Sequence, residues 1–110
     1  RRQRKILMWR GTINIQKTVS GTTLTVALEG RLDTTTAPKL EEKLLGSVDG
    51  ITRLVFDVEK LEYISSAGLR VLLAMQKLMN RQGAMLLRNV NEAVMEVFEV
   101  TGFSDILSIE

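Results

Sequence analysis

Two adjacent hydroxyls, Ser65 and Ser66, stand where an apolar run gives way to a strongly helical one, in Leu61-Glu62-Tyr63-Ile64-Ser65-Ser66-Ala67-Gly68-Leu69-Arg70. Serines in that position can cap a helix by accepting a bond from a first-turn N–H, receive a phosphoryl group, or act as nucleophiles. The chain contains no histidine and no cysteine. That removes Ser-His-Asp and Cys-His catalysis, imidazole and thiolate metal sites, and disulfides. A nucleophilic Ser66 would need a lysine base such as Lys60 with a strongly lowered pKa, and no glycine-rich run ending in Gly-Lys-Ser/Thr offers a phosphate-binding loop. Neither a metal nor a cofactor is expected. Capping requires only one hydroxyl, which leaves the second for other work. Gly68 costs about 1 kcal/mol of helix propensity relative to Ala, so it is expected to let a ligand or another backbone approach the helix start. Free N–H groups and the positive dipole end favour an anion there, such as a phosphate on serine.

Two other sites carry polar groups that could join this one. Asp57 is the one acid in Leu54-Val55-Phe56-Asp57-Val58 and is expected at a strand end near the serines, either as a functional partner or bonding loop amides. Asp33 and Thr34, with Thr35 and Thr36, precede Ala37-Pro38 and offer hydroxyl caps ahead of a proline suited to a first helical turn. Asp33 either contributes to the same face as the serines or serves its own turn.

The elements that must position these groups follow from patterning. At 110 residues the chain is long enough for one domain with an ordinary core, and 45% hydrophobic with 25% charged residues is a globular balance. Five of the 15 basic residues, Arg1, Arg2, Arg4, Lys5 and Arg10, fall in the first eleven positions, which hold no acid. The remaining 99 residues carry ten basic against 13 acidic side chains, a net of −3. By charge, that body is no nucleic-acid binder. Ile6-Leu7-Met8-Trp9 is too short to span a membrane, so residues 1–11 are expected to be a flexible basic leader or linker, ahead of a domain over 12–110. A membrane-surface tail and a non-native leader are the other readings.

From Thr12 the apolar residues alternate. Ile13 and Ile15 in a first strand, a turn over Val19–Thr23, and a second strand with Leu24, Val26 and Leu28 inward make a hairpin. A helix is expected to run to about Leu45, with Ala37, Leu40, Leu44 and Leu45 as its apolar stripe. Leu54–Val58 is a short central strand. Leu69 to Met79 is a largely apolar helix with Met75 and Met79 in the core, stopped near Gly83. Ala84–Leu87 is a fourth strand, Asn89 or Asn91 caps a third helix that Gly102 stops, and Ile106, Leu107 and Ile109 form a last short strand. The fold class is therefore α/β, a mixed sheet of four to five strands with an opening β-hairpin and helices packed against it. The focal stretch is expected to begin as a loop that leaves the carboxyl end of the third strand, where ligand and partner surfaces of such sheets lie.

Gly30-Arg31-Leu32-Asp33 after the second strand and Tyr63-Ile64-Ser65-Ser66-Ala67-Gly68-Leu69-Arg70 after the third resemble the STAS family, shared by bacterial anti-sigma factor antagonists and sulphate transporter tails. The resemblance spans roughly Thr12 to Glu110 and includes Thr101-Gly102-Phe103 as the closing turn. Antagonists of this family carry Asp-Ser-Ser/Thr-Gly-Leu-Gly, whose first Ser is phosphorylated by the partner. Aligning Gly68-Leu69 places that serine on Ser66, with Ser65 in place of the Asp, Ala67 in place of the second hydroxyl residue and Arg70 in place of the last Gly.

The resemblance implies a non-enzymatic, cytoplasmic binding module without a transmembrane segment. It would dock on an anti-sigma factor with serine kinase activity and release it when Ser66 is phosphorylated, a serine phosphatase resetting the switch. Ser65 is the second candidate for modification. Asp33, Thr34, Ser65, Ser66, Ala67, Gly68, Leu69 and Arg70 are the expected partner-binding residues, and Arg70, four residues beyond Ser66, is spaced to meet a phosphate or to face solvent. Other single STAS domains are subunits or scaffolds of membrane lipid-transport or signalling complexes without phosphorylation, the alternative function.

Overall fold

The structure, a computed structural model, describes residues 12–110; the expected leader over 1–11 lies outside the described residues. Alternation builds the opening hairpin. Strand β1 (Ile13–Ser20) pairs antiparallel with β2 (Thr23–Leu32), from Ile13 opposite Gly30 to Ser20 opposite Thr23. The connecting turn is tighter than the expected Val19–Thr23, because Val19, Ser20 and Thr23 all take part in the ladder and Gly21, at φ 64°, makes the reversal between them. Every second residue of β2, Leu24, Val26, Leu28 and Leu32 among them, is buried.

The third strand departs most from expectation. β3 is Arg53–Ile64, twelve residues long, so Leu61–Ile64 is strand rather than loop. It lies parallel to β2 with two bulges: Asp57 to Lys60 faces Ala27 to Glu29, and Leu61 to Tyr63 faces Gly30 to Arg31, one extra residue each time. The β3 residues of the core cluster consequently run Leu54, Phe56, Val58 and then Leu61 and Ile64, a spacing of two followed by a spacing of three, while Val55 is buried outside that cluster. A reading based on period two stops at Val58 for that reason.

Two crossovers complete the sheet. Helix α1 (Ala37–Leu45) links β2 to β3, and α2 (Ser66–Gln82) links β3 to β4 (Ala84–Arg88), which pairs parallel to β3. The order is β1-β2-β3-β4. Asn91, not Asn89, caps α3 (Glu92–Thr101) by accepting the Val94 N–H at 2.9 Å, while Asn89 sits at φ 60°. Gly102, left-handed at φ 82°, ends α3 and starts a 3-10 turn, Phe103–Asp105. The expected fifth strand is reduced to a single bridge between Ile109 and Leu87.

One apolar cluster joins the even-numbered face of β2 to all three helices, with Phe56, Phe98, Leu72, Met75 and Met79 fully buried. Leu45 is the exception in the expected stripe of α1: it is 55% exposed, because the helix ends there and its last turn points past the core.

Candidate functional site

Parallel neighbours β2 and β3 end at the same edge, and each feeds a helix. Leu32 stands opposite Ile64, and the Ser65 N–H donates to the Leu32 carbonyl at 2.9 Å. Two βα corners therefore lie side by side: Asp33–Thr36 before α1 and Ser65–Gly68 at the start of α2.

The first corner is internally bonded. Asp33 Oδ1 accepts the N–H groups of Thr35 at 3.0 Å and Thr36 at 3.1 Å, and the Asp33 N–H donates to Thr36 Oγ1 at 2.8 Å. The Thr36 hydroxyl has one proton and two acceptors in reach, the Arg31 carbonyl at 2.7 Å and Asp33 Oδ1 at 3.2 Å. The shorter contact takes it. Thr36 is fully buried and occupies the N-cap position of α1, yet its hydroxyl makes no cap bond to the helix; α1 has no side-chain cap, and the Asp33 carboxylate bonds the turn that precedes it. Burial pushes the Asp33 carboxyl up, but the amides of Thr36 and Thr35, the Thr36 hydroxyl and the Arg31 guanidinium together outweigh it and hold its pKa below the usual value. Arg31 is held 3.7 Å from Asp33 and stacks on the Tyr63 ring 4.2 Å from its centroid, across the β2–β3 register.

The second corner divides its hydroxyls. Ser65, half-buried and extended at φ −99°, ψ 178°, is the N-cap, and its Oγ accepts the Gly68 N–H at a long 3.5 Å. Ser66 is the first helical residue and is exposed, with no hydrogen bond to its hydroxyl among the described residues. Gly68 allows a close approach, as expected, but of the strand ends rather than of a ligand. A Cβ there would come within 2.8 Å of both Ile64 Cγ1 and Leu32 Cγ, so the missing side chain lets the helix start pack on the ends of β2 and β3. Leu69 is also buried. Of the residues singled out in sequence, Thr34, Ser66 and Arg70 are exposed, Asp33, Ser65 and Ala67 are half-buried, and Gly68 and Leu69 face the core.

Asp57 stays apart from the serines. It lies within β3, seven residues before Ile64, and its Oδ1 accepts from the Glu59 N–H and from Asn89 Nδ2, both at 3.2 Å. It was expected at a strand end because the bulges that extend β3 are invisible to a two-residue period.

Between α1 and α2 runs a groove of about 560 Å³ that begins at these corners. Ala37 and Val71 are its buried lining; Ala67 and Ala74 are half-buried; Thr34, Pro38, Arg70 and Lys77 are exposed. Sequence reasoning missed Pro38, Glu41, Ala74 and Lys77, since only the packing of α1 against α2 brings them together. Among the described residues, no cluster of carboxylates could hold a metal ion and no helix is long and apolar enough to cross a membrane.

Comparison with known families matches residues 14–110 to the STAS domain. The chain belongs to the STAS family. Among curated STAS relatives, BtrV of Bordetella bronchiseptica is 41% identical over 88 residues, covering 78% of this chain and 76% of that protein. The anti-sigma-B factor antagonist of Bacillus subtilis is 31% identical over 98 residues, covering 88% and 90%. In fold, the STAS chain is similar to an anti-sigma factor antagonist from Mycobacterium paratuberculosis, with a TM-score of 0.80, 23% identity, and 88% and 84% of the two chains covered. It is also similar to the Bacillus cell fate determinant SpoIIAA in its phosphorylated form, with a TM-score of 0.68, 22% identity, and 88% and 91% covered.

Proposed function

We propose that this STAS domain is an anti-sigma factor antagonist, a binding module rather than an enzyme, whose docking is switched by phosphorylation of Ser66. The names of the sequence relatives support the antagonist reading. One observation carries the switch: Ser65 takes the cap of α2 and leaves the Ser66 hydroxyl exposed at the first helical position. The partner is an anti-sigma factor with serine kinase activity, acting in the cytoplasm. It supplies the nucleotide and the base; Ser66 Oγ bonds to the transferred phosphorus, the nucleoside diphosphate leaves, and the hydroxyl proton passes to the kinase. A serine phosphatase reverses the modification.

The effect on docking is electrostatic. A phosphate adds about −1.5 to −2 charges at pH 7. At the N-terminus of α2 the domain tolerates that charge, since the first-turn N–H groups and dipole favour it. A partner packed over Ser66 does not, because the charge must be desolvated in the interface. Each 1.4 kcal/mol of penalty weakens binding about tenfold. Asp33, Thr34, Ser65, Ala67 and Arg70 lie on or beside the docking face, with Gly68 and Leu69 shaping it from beneath.

The test compares wild type, Ser66→Ala and Ser66→Asp in capture from the source cell, with the modified residue read by mass spectrometry. The expected result is phosphate on Ser66 and an anti-sigma factor retained by wild type and Ser66→Ala but lost by Ser66→Asp. Phosphate confined to Ser65, or the same partner recovered with all three, would overturn the switch.

A further inference from the structure

Helix α2 differs from the rest of the domain in charge. Residues 12–110 carry a net of −3, yet the 17 residues of α2 contain no acid and three cations, Arg70, Lys77 and Arg81. The three are spaced i, i+7 and i+11. At 3.6 residues per turn they return to within about 20° of one line, a stripe about 16 Å long. Ser66 stands one turn before Arg70 at the N-terminal end of the same stripe. All three cations are exposed, and none makes an ion pair among the described residues. Between Arg70 and Lys77 the stripe is broken only by half-buried Leu73 and Ala74, which also line the groove toward α1.

The groove is lined mainly by apolar residues, with its one acid, Glu41, on the α1 side, so the unpaired cations of α2 along its other side are complementary to an amphipathic helix with an apolar face and a row of acids at matching spacing on the side toward α2. We propose that α2 docks such an acidic amphipathic helix of the anti-sigma factor along the α1–α2 groove, and that phosphate on Ser66 opposes docking by occupying Arg70 and repelling the partner's acids. This rests on the antagonist reading and adds to it the partner's chemistry and the target of the switch. Arg70 serves both states: it pairs with a partner acid when Ser66 is free, and with the phosphate, one helical turn away, when Ser66 is modified. Modification thus removes a cation from the stripe as well as adding an anion.

The experiment uses the full chain and the anti-sigma factor captured with wild type and Ser66→Ala, purified, with affinities measured by calorimetry at 50 and 500 mM salt. The double variant Arg70→Glu/Lys77→Glu is expected to lose at least about tenfold in affinity, while Lys39→Glu, an exposed charge of α1 outside the groove, leaves it unchanged. Raising salt is expected to weaken wild type and to leave the double variant less sensitive. A carbodiimide, which joins amines to carboxylates at zero length, is expected to link Lys77 to an acidic helix of the partner. Thermal melts verify that the double variant, altered only at exposed positions, remains folded. Wild-type affinity in that variant, or links from Lys77 to no partner acid, would overturn the proposal while leaving the antagonist reading intact. Failure of any anti-sigma factor to bind wild type would instead overturn the antagonist reading. Vesicles of phosphatidylserine that bind wild type but not the double variant, with anti-sigma affinity unchanged, would reassign the stripe to a membrane surface and so refute it.

Discussion

The two βα corners begin from the same backbone situation and are built in opposite ways. At the β2–α1 corner, Asp33 and Thr36 satisfy each other and the surrounding backbone in four simultaneous hydrogen bonds. At the β3–α2 corner a single long bond from the Gly68 N–H to Ser65 Oγ does the capping, and the neighbouring Ser66 hydroxyl is exposed. Polar groups at the first corner are spent on the fold. At the second, the fold is secured by apolar packing under Gly68, and the Ser66 hydroxyl stays exposed. Stability changes should therefore come from carbon atoms at the second corner and from oxygen atoms at the first.

The largest effect is expected at Gly68. Gly68→Val places branched carbon where Leu32 and Ile64 already stand within 2.8 Å of a Cβ. Overpacking of a filled site costs about 1–3 kcal/mol and β-branching adds to it, so a loss of about 3 kcal/mol in urea unfolding is expected. Gly68→Ala is milder, because about 1 kcal/mol of recovered helix propensity offsets part of the clash. If Gly68→Ala stabilised the domain by that full amount, the packing account of this corner would fail.

Thr36→Val comes next and tests the opposite corner. Valine preserves shape but removes the oxygen that accepts the Asp33 N–H and donates to the Arg31 carbonyl. Both backbone groups are then left without that partner in a site where residue 36 is fully buried. A cost of about 2 kcal/mol is expected from two such groups. A value within 0.5 kcal/mol of wild type would show that water replaces the hydroxyl and that the corner is less closed than its geometry indicates.

The serines sharpen the comparison. Ser65→Ala is expected to cost about 0.5 kcal/mol, the low end for an N-cap, because its bond to the Gly68 N–H is 3.5 Å long. Ser66→Ala is expected to change stability by less than that, since it removes an exposed hydroxyl and installs the best helix former. Reversed magnitudes in the same unfolding assay would mean that Ser66 is the structural hydroxyl and that the two have been given each other's roles.

How much of this was legible beforehand depends on the length scale of each signal. The hairpin, the order of helices and strands as far as the third helix, the burial of Met75 and Met79 and the stop at Gly102 are local periodicities or single-residue backbone preferences, and the structure has them. The paired serines and Asp33 were visible as candidate residues for the same reason. The length of β3 was not, because its bulges shift the buried spacing from two to three, and Asp57 was misplaced with it. What approaches Gly68, a ligand or another part of the chain, stays open in the sequence because the side chains that crowd it are Leu32, 36 residues away, and Ile64, in a stretch that reads as loop. The groove arises from α1 meeting α2, which no local pattern encodes, whereas the cationic row of α2 could have been read from its seven- and eleven-residue spacing alone.

The smallest expected effect is a dependence on pH, and it separates the corners by charge. The pKa of Asp33 is lowered from its ordinary value of 3.8 by bonds that exist only in the folded state. In the window below that value the unfolded chain binds more protons at this position than the folded one, so stability rises with pH there. The contribution is complete above the unfolded value and is lost as pH falls through the lower folded value. Asp33→Asn retains an Oδ1 acceptor for the Thr35 and Thr36 amides but removes the charge that strengthens those bonds and attracts Arg31. Urea midpoints measured from pH 7 to pH 2.5 should show wild type above the variant at neutral pH, with the gap closing below about pH 4. Ser65→Ala, which alters an uncharged cap, should keep a constant gap from wild type across the same range. A gap that closed for the serine variant, or that stayed open for Asp33→Asn, would show that acid stability is set elsewhere and that the first corner does not depend on its carboxylate.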